Sequence, residues 1–169
     1  MLSTEKTLLR MPLPEDRQIF ISMRNDIELQ GMLMARARPN TESKIDEWVK
    51  KKLSDENGVF FVIADVTSNK AIGYLQLTNM DFIHQRGDLG ICINKQHQGQ
   101  GYAKDALELL EGYAKNLFNI RKIVLQVLNE NHRAIRFYEK MAYRSVGILQ
   151  EHFYLNDKFH AVRLMEKII

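Results

Sequence analysis

Apolar residues recur along the chain with two different periods, and these periods predict where helices and strands lie. Spacings of three and four residues predict a helix over residues 14–25 and a second helix whose first turn Ser43 caps. Residues 8–11 fit a short strand, whereas residues 32–34 fit no single element. The chain before residue 58 is therefore predicted to hold two helices and one short strand.

Strand-like apolar runs dominate the rest of the chain. They predict strands over residues 59–64, 71–77, 88–93 and 121–128, and a C-terminal hairpin of residues 145–154 and 159–167. Helical spacing returns over residues 102–117 and 131–141. This order predicts an α+β fold, a mixed and mostly antiparallel central sheet flanked by helices, in a single domain of residues 1–169.

Composition narrows the class of protein without identifying a function. The 169 residues carry a net charge of +3, which is too small to indicate a nucleic-acid-binding protein. Cys92 is the only cysteine, so an internal disulfide and a multi-cysteine metal site are excluded. We see no signal peptide and no apolar run near the roughly 20 residues that span a bilayer. A cytoplasmic protein without a metal, nucleic-acid or membrane partner is expected.

A glycine-containing segment, Gln-His-Gln-Gly-Gln-Gly-Tyr-Ala at residues 96–103, lies between a predicted strand and the longest predicted helix. Unpaired N–H groups at a helix start bind anions such as a pyrophosphate, and glycines allow close approach of the backbone. A nucleotide P-loop would need Lys where Tyr102 stands, and a dinucleotide-binding loop would need a small residue at Lys104. Two interpretations of this segment remain, a loop that binds the pyrophosphate of coenzyme A and a strand-to-helix turn that uses glycine only for its geometry.

This segment resembles motif A of the GNAT acetyltransferases, Gln/Arg-x-x-Gly-x-Gly/Ala, which Gln96, Gly99 and Gly101 fill. The resemblance implies that acetyl-CoA is the co-substrate and that its pyrophosphate is held by Gln98, Gly99, Gln100, Gly101, Tyr102, Ala103 and Lys104.

A second segment resembles motif B of the same family, Asn-x-x-Ala-x-x-x-Tyr, which Asn131, Ala134 and Tyr138 fill. These three residues share one helix face. The resemblance implies that Asn131 hydrogen-bonds the pantetheine arm, that Ala134 leaves room for it, and that Tyr138 protonates the departing thiolate. A packed aromatic beside Phe137 is the alternative interpretation of Tyr138.

The strand before the glycine loop has a counterpart in the family, a bulged strand that splays from its neighbour to hold acetyl-CoA. Gly90 would ease such a bulge. Backbone groups of Ile91, Cys92 and Ile93 would then hydrogen-bond to the pantetheine amides. One backbone N–H there would stabilise the oxyanion that forms when an amine attacks the thioester carbonyl. Asp88 matches a position where the family often carries a Glu that acts as the general base, directly or through water. The alternative interpretation of Asp88 is a solvated carboxylate at the start of the strand. The Cys92 thiol itself fits a buried hydrophobe better than a nucleophile.

Residues 82–169 resemble the branch that holds ribosomal-protein N-terminal acetyltransferases, spermidine acetyltransferase and amino-sugar-nucleotide acetyltransferases. This implies direct transfer of an acetyl group to a primary amine of a small molecule (amino sugar nucleotide or polyamine) or to a protein N-terminus. Basic residues within residues 24–38 favour a nucleotide sugar, although Asp26 and Glu28 lie among them. A non-catalytic acyl-CoA sensor and a different nucleotide-binding domain are the alternatives. Edge strands in the hairpin make a homo-oligomer plausible.

Overall fold

A computed structural model describes residues 2–169, which form one eight-stranded sheet with helices packed on both faces. The helices are α1 (Arg17–Asn25), α2 (Ile27–Met32), α3 (Glu42–Leu53), α4 (Tyr102–Phe118) and α5 (His132–Lys140). The strands are β1 (Leu2–Ser3), β2 (Thr7–Arg10), β3 (Val59–Asp65), β4 (Ala71–Asp81), β5 (Arg86–Ile93), β6 (Lys122–Leu128), β7 (Arg144–Leu155) and β8 (Lys158–Ile168). Their spatial order is β1-β2-β3-β4-β5-β6-β8-β7.

One strand pair differs from all the others within residues 2–169. Neighbouring strands are antiparallel except β5 and β6, which run parallel because α4 carries the chain across one face between them. Their pairing covers only Arg86 to Asp88 on β5, after which the two strands separate. The predicted α+β fold, with its mostly antiparallel sheet and splayed strand pair, is confirmed.

The predicted bulge at Gly90 is wrong. The register of β5 against β4 is unbroken on both sides of Gly90, and the shift lies instead in β4, between Thr78 and Asp81. Asn79 takes a left-handed conformation there, with φ 50°. A Cβ on Gly90 would lie 3.0 Å from Nε2 of Gln76, its partner across the ladder. Gly90 therefore makes room for a neighbouring side chain rather than for a bulge.

Two apolar clusters hold the helices to the sheet. On one face, the inward residues of α4 pack on β4, β5 and β6, and Leu107, Leu110 and Ile123 are fully buried. On the other face, α1 and α3 pack through aromatic rings whose centroids lie 5.3–6.2 Å apart: Phe20, Trp48, Phe60 and Tyr74. The cluster of rings holds α1 and α3 against β3 and β4.

Helix boundaries in the first third differ from the predicted ones. The Thr41 hydroxyl accepts a hydrogen bond from the Lys44 N–H at 3.4 Å and caps α3, so the predicted Ser43 cap is wrong. The predicted helix over residues 14–25 begins as a 3-10 turn. Asp26 caps α2, an element that apolar spacing did not predict. None of the helices within residues 2–169 is long and apolar enough to cross a membrane.

Candidate active site

The slot between β5 and β6 opens into a cavity of about 970 Å³. All but one of the predicted site residues line it: Asp88, Ile91, Cys92, Ile93, Gln98, Gly99, Gly101, Tyr102, Ala103, Lys104, Asn131, Ala134 and Tyr138. Gln100 is the exception. Its side-chain amide donates to the carbonyl of Gln96 at 2.9 Å, and its own carbonyl accepts from Lys6.

The glycine loop and the start of α4 form one end of this cavity. Gly99 and Gly101 have φ of 79° and 92°, which favours glycine at both positions. Gly101 is the N-cap of α4 and supplies no side-chain cap, so the first N–H groups of the helix are free to bind an anion. The Tyr102 hydroxyl points elsewhere and donates to Asp65 at 2.9 Å. Only the backbone of Tyr102 can therefore serve the anion site.

The start of α5 contacts that loop, because the Arg133 guanidinium donates to the Gln98 side chain at 2.9 Å, and this helix is capped by a side chain. Oδ1 of Asn131 accepts from the N–H of Ala134 at 3.1 Å, which leaves the Asn131 amide nitrogen available to a ligand. Sequence reasoning missed three cations on α5 that also line the cavity, Arg133, Arg136 and Lys140. Their spacing of three and four residues was the signal that could have found them.

Tyr138 lies one turn further along α5, and its ring is buried against Phe137 and Tyr143, with centroids 5.2 and 5.7 Å away. Burial raises the pKa of the Tyr138 phenol well above its ordinary value, and the nearby Cys92 acts in the same direction. The hydroxyl therefore stays protonated through neutral pH, which is the state that a proton donor requires.

Asp88 and Cys92 lie at different points of β5. Asp88 is at the last position where β5 pairs with β6, and its carboxylate accepts from the Asn79 amide at 2.9 Å. Cys92 is buried, and that burial raises the pKa of its thiol to about 12. The same burial disfavours the thiolate, which is the nucleophilic form of cysteine. The interpretation of the Cys92 side chain as a buried hydrophobe is confirmed.

A second wall of the cavity combines residues already named from the sequence, such as Glu28, with residues that sequence reasoning missed, such as Gln76. It contains Gln76 from β4 and a run from α2 and the turn after it: Glu28, Leu29, Met32, Leu33 and Met34. We call residues 28–34, 76 and 88–93 the strand wall, and residues 98–104 and 131–140 the helix wall. No sequence pattern joins these parts of the strand wall, since only sheet pairing and helix packing bring them together.

The arginines that favoured a nucleotide sugar lie outside the cavity lining. The Arg24 guanidinium stacks over Trp48 at 4.5 Å from the ring centroid. Arg36 and Arg38 are exposed and contribute nothing to either wall. On the strand wall, Glu28 pairs with Lys95 at 2.8 Å on the surface.

Comparison with known proteins agrees with this geometry. Residues 6–144 match the family described as acetyltransferase (GNAT) domain. The spermidine N(1)-acetyltransferase of Vibrio cholerae is 30% identical over 122 residues, which cover 72% of this chain and 70% of that protein. A ribosomal-protein-serine acetyltransferase of Escherichia coli is 23% identical over 101 residues, 60% of this chain and 56% of its own length.

A solved structure shares the whole fold. Spermidine N-acetyltransferase from Vibrio cholerae, in complex with CoA and spermine, superposes with a TM-score of 0.89 at 24% sequence identity. The superposition covers 98% of this chain and 96% of that one. At this identity the structural likeness establishes the fold.

Proposed function

The chain belongs to the GNAT acetyltransferase family, and from that premise we propose that it transfers the acetyl group of acetyl-CoA to a primary amine of a polyamine such as spermidine. The observation that carries the proposal is the division of charge in the cavity. The helix wall contributes only cations, Lys104, Arg133, Arg136 and Lys140. The strand wall contributes the carboxylates of Asp88 and Glu28, of which Glu28 is paired with the lining residue Lys95 at 2.8 Å.

The charged side chains of each wall suit one of the two substrates. Coenzyme A carries several phosphate charges, which guanidinium groups and a helix N-terminus stabilise. A polyamine is a flexible cation, which carboxylates attract. Arg36 and Arg38 lie outside both walls, and the lining residue Lys95 is already paired with Asp26 and Glu28, so within residues 2–169 the cavity offers a nucleotide sugar no unpaired cation at its acceptor end. The polyamine is therefore the acceptor class that the lining favours.

The chain's own residues supply each step of a direct transfer. Asp88 takes a proton from the incoming amine, directly or through a water, so that the neutral nitrogen attacks the thioester carbonyl. A backbone N–H of Ile91, Cys92 or Ile93 donates to the oxyanion. The Tyr138 hydroxyl then gives its proton to the departing sulfur, and the second proton that the nitrogen loses as the amide forms returns to the Tyr138 oxygen through solvent. The buried slot also disfavours the negative charge of the thiolate. This raises the proton affinity of the departing sulfur and so favours proton transfer from Tyr138.

Release of free thiol from acetyl-CoA tests the proposal directly. The panel of acceptors holds spermidine, a peptide with a free N-terminal Ser, and an amino sugar nucleotide. We expect release that depends on spermidine. Release with the peptide or the nucleotide alone would contradict the acceptor class. No release from any acceptor, with acetyl-CoA still raising the melting temperature, would indicate an acyl-CoA sensor.

Self-association and a cytoplasmic location stay predictions. The strand β7 is the outermost strand at one end of the sheet, so one side of its backbone has no strand partner within residues 2–169. Such an edge can pair with a second copy of the chain.

A further inference from the structure

Gln76 is a polar side chain in the strand wall whose amide oxygen lacks a partner. Oε1 of Gln76 is buried and accepts no hydrogen bond from any group in residues 2–169. Folded proteins rarely leave a buried acceptor unpaired, because doing so costs about 1–3 kcal/mol. An unpaired acceptor in the wall of a substrate cavity therefore points to a group that the substrate supplies.

The sheet places Gln76 beside the candidate base. Across the β4–β5 ladder Gln76 pairs with Gly90, and the next pair on the same face joins Thr78 to Asp88. Successive residues on one face of a strand are roughly 7 Å apart. A small amine that bonds to Gln76 is therefore within reach of the Asp88 carboxylate, directly or through one water.

The absence of a side chain at Gly90 is what allows Gln76 to lie there. The three atoms nearest to a Cβ built on Gly90 all belong to the Gln76 side chain, at 3.0, 3.2 and 3.5 Å. Gln76 thus occupies the space above Gly90, at the point where β5 has left β6 and the cavity begins.

We propose that the Gln76 carboxamide binds the acceptor amine. Its oxygen accepts a hydrogen bond from one N–H group of the amine and so orients the nitrogen lone pair for attack. The last torsion of a glutamine side chain is soft, so the oxygen can turn toward the cavity when an amine arrives. A neutral amide suits this task, because a carboxylate in the same place would favour the charged, unreactive ammonium. The inference rests on the proposed function and assigns a residue for acceptor binding.

Steady-state kinetics of Gln76→Ala tests the inference. We expect the KM for the amine to rise about tenfold, equivalent to about 1.4 kcal/mol. The KM for acetyl-CoA should not change, and acetyl-CoA should raise the melting temperature of the variant as much as that of the wild type. This second result also shows that the variant folds. Gln150→Ala, on the exposed face of β7, is the matched control and should leave every parameter unchanged.

The variant Gly90→Ala tests the same contact from the other strand. Its methyl group must displace the flexible Gln76 side chain, so the KM for the amine should rise in the wild-type background. In the Gln76→Ala background it should cause no further rise. Equal effects in both backgrounds, or an unchanged amine KM in Gln76→Ala, would overturn the inference while an active wild type still supports the proposed function. A wild type that acetylates no amine would instead overturn both.

Discussion

The two walls of the cavity are built in different ways. The helix wall consists of two continuous segments, residues 98–104 and 131–140, whose geometry follows from local features such as a positive φ, a cap and helical spacing. The strand wall joins residues 28–34, 76 and 88–93, which meet only through sheet pairing and helix packing. Local geometry therefore forms the helix wall, which we propose holds most of acetyl-CoA, and long-range contacts form the strand wall, which we propose receives the amine beside the thioester. If this division is functional, changes to the helix wall should leave the KM for the amine unaltered.

The largest effect is expected from Tyr138→Phe. Loss of the proton donor should lower kcat by about 100-fold or more. The ring still packs against Phe137 and Tyr143, so the rise in melting temperature caused by acetyl-CoA should persist. Steady-state kinetics and thermal unfolding with and without acetyl-CoA measure the two quantities.

A neighbouring tyrosine provides the control for that experiment. Tyr143 is also buried, and its hydroxyl donates to Glu111 at 3.0 Å, outside the cavity lining. Tyr143→Phe should cost about 1 kcal/mol of stability and leave kcat unchanged. Equal turnover in the wild type and Tyr138→Phe would remove Tyr138 as the acid. A change in amine KM in Tyr138→Phe would break the division between the walls.

An intermediate effect is expected from Gly101→Ala at the start of α4. No atom lies within 4 Å of the added Cβ, so the penalty comes from φ 92° and costs about 1–2 kcal/mol. The N–H groups of the loop should lose their alignment, and the KM for acetyl-CoA should rise about tenfold.

Gly112→Ala, in the interior of the same helix, is the control that separates the effect of the backbone conformation from the effect of an added methyl group. Its Cβ also meets no atom within 4 Å, but the backbone is helical. This variant should gain about 0.5–1 kcal/mol of stability and keep the wild-type KM for acetyl-CoA. If both variants behaved alike in acetyl-CoA binding, the loop conformation would not matter.

The smallest effect is expected at Asn131, whose amide oxygen and nitrogen have separate tasks. Asn131→Asp keeps the acceptor that caps α5 and should preserve stability, while loss of the amide donor raises the KM for acetyl-CoA about fivefold. Asn131→Ala should also lose about 1 kcal/mol of stability through the missing cap. Chemical denaturation and the two KM values distinguish the tasks. A KM for acetyl-CoA that stays at the wild-type value in Asn131→Asp would confine the residue to capping.

Most elements of the fold could be predicted because their amphipathic periods are strong. The strands β3 and β6 and the helices α4 and α5 lie within one residue of the predicted ranges, whereas β4 continues four residues past its predicted end. The failures have local causes. Thr41 and Ser43 are both able to cap a helix, and only the extended backbone at Thr41 decides between them. Six residues of α2 are too few for a periodic signal.

The sequence by itself determined the fold class, the glycine loop and the face shared by Asn131, Ala134 and Tyr138. The loop and the shared helix face depend on residues within about two helical turns of one another, where backbone geometry sets the distances, and the fold class depends on the order of elements that each have a local period. Tertiary structure alone decided the point at which β5 and β6 separate, after Asp88, and that Gln76 fills the space above Gly90. It also placed Glu28 on the cavity wall while Arg36 and Arg38 stayed outside. Those outcomes depend on strand register and helix packing, which bring together positions far apart in the chain. No periodic pattern of apolar residues in the sequence reports such contacts.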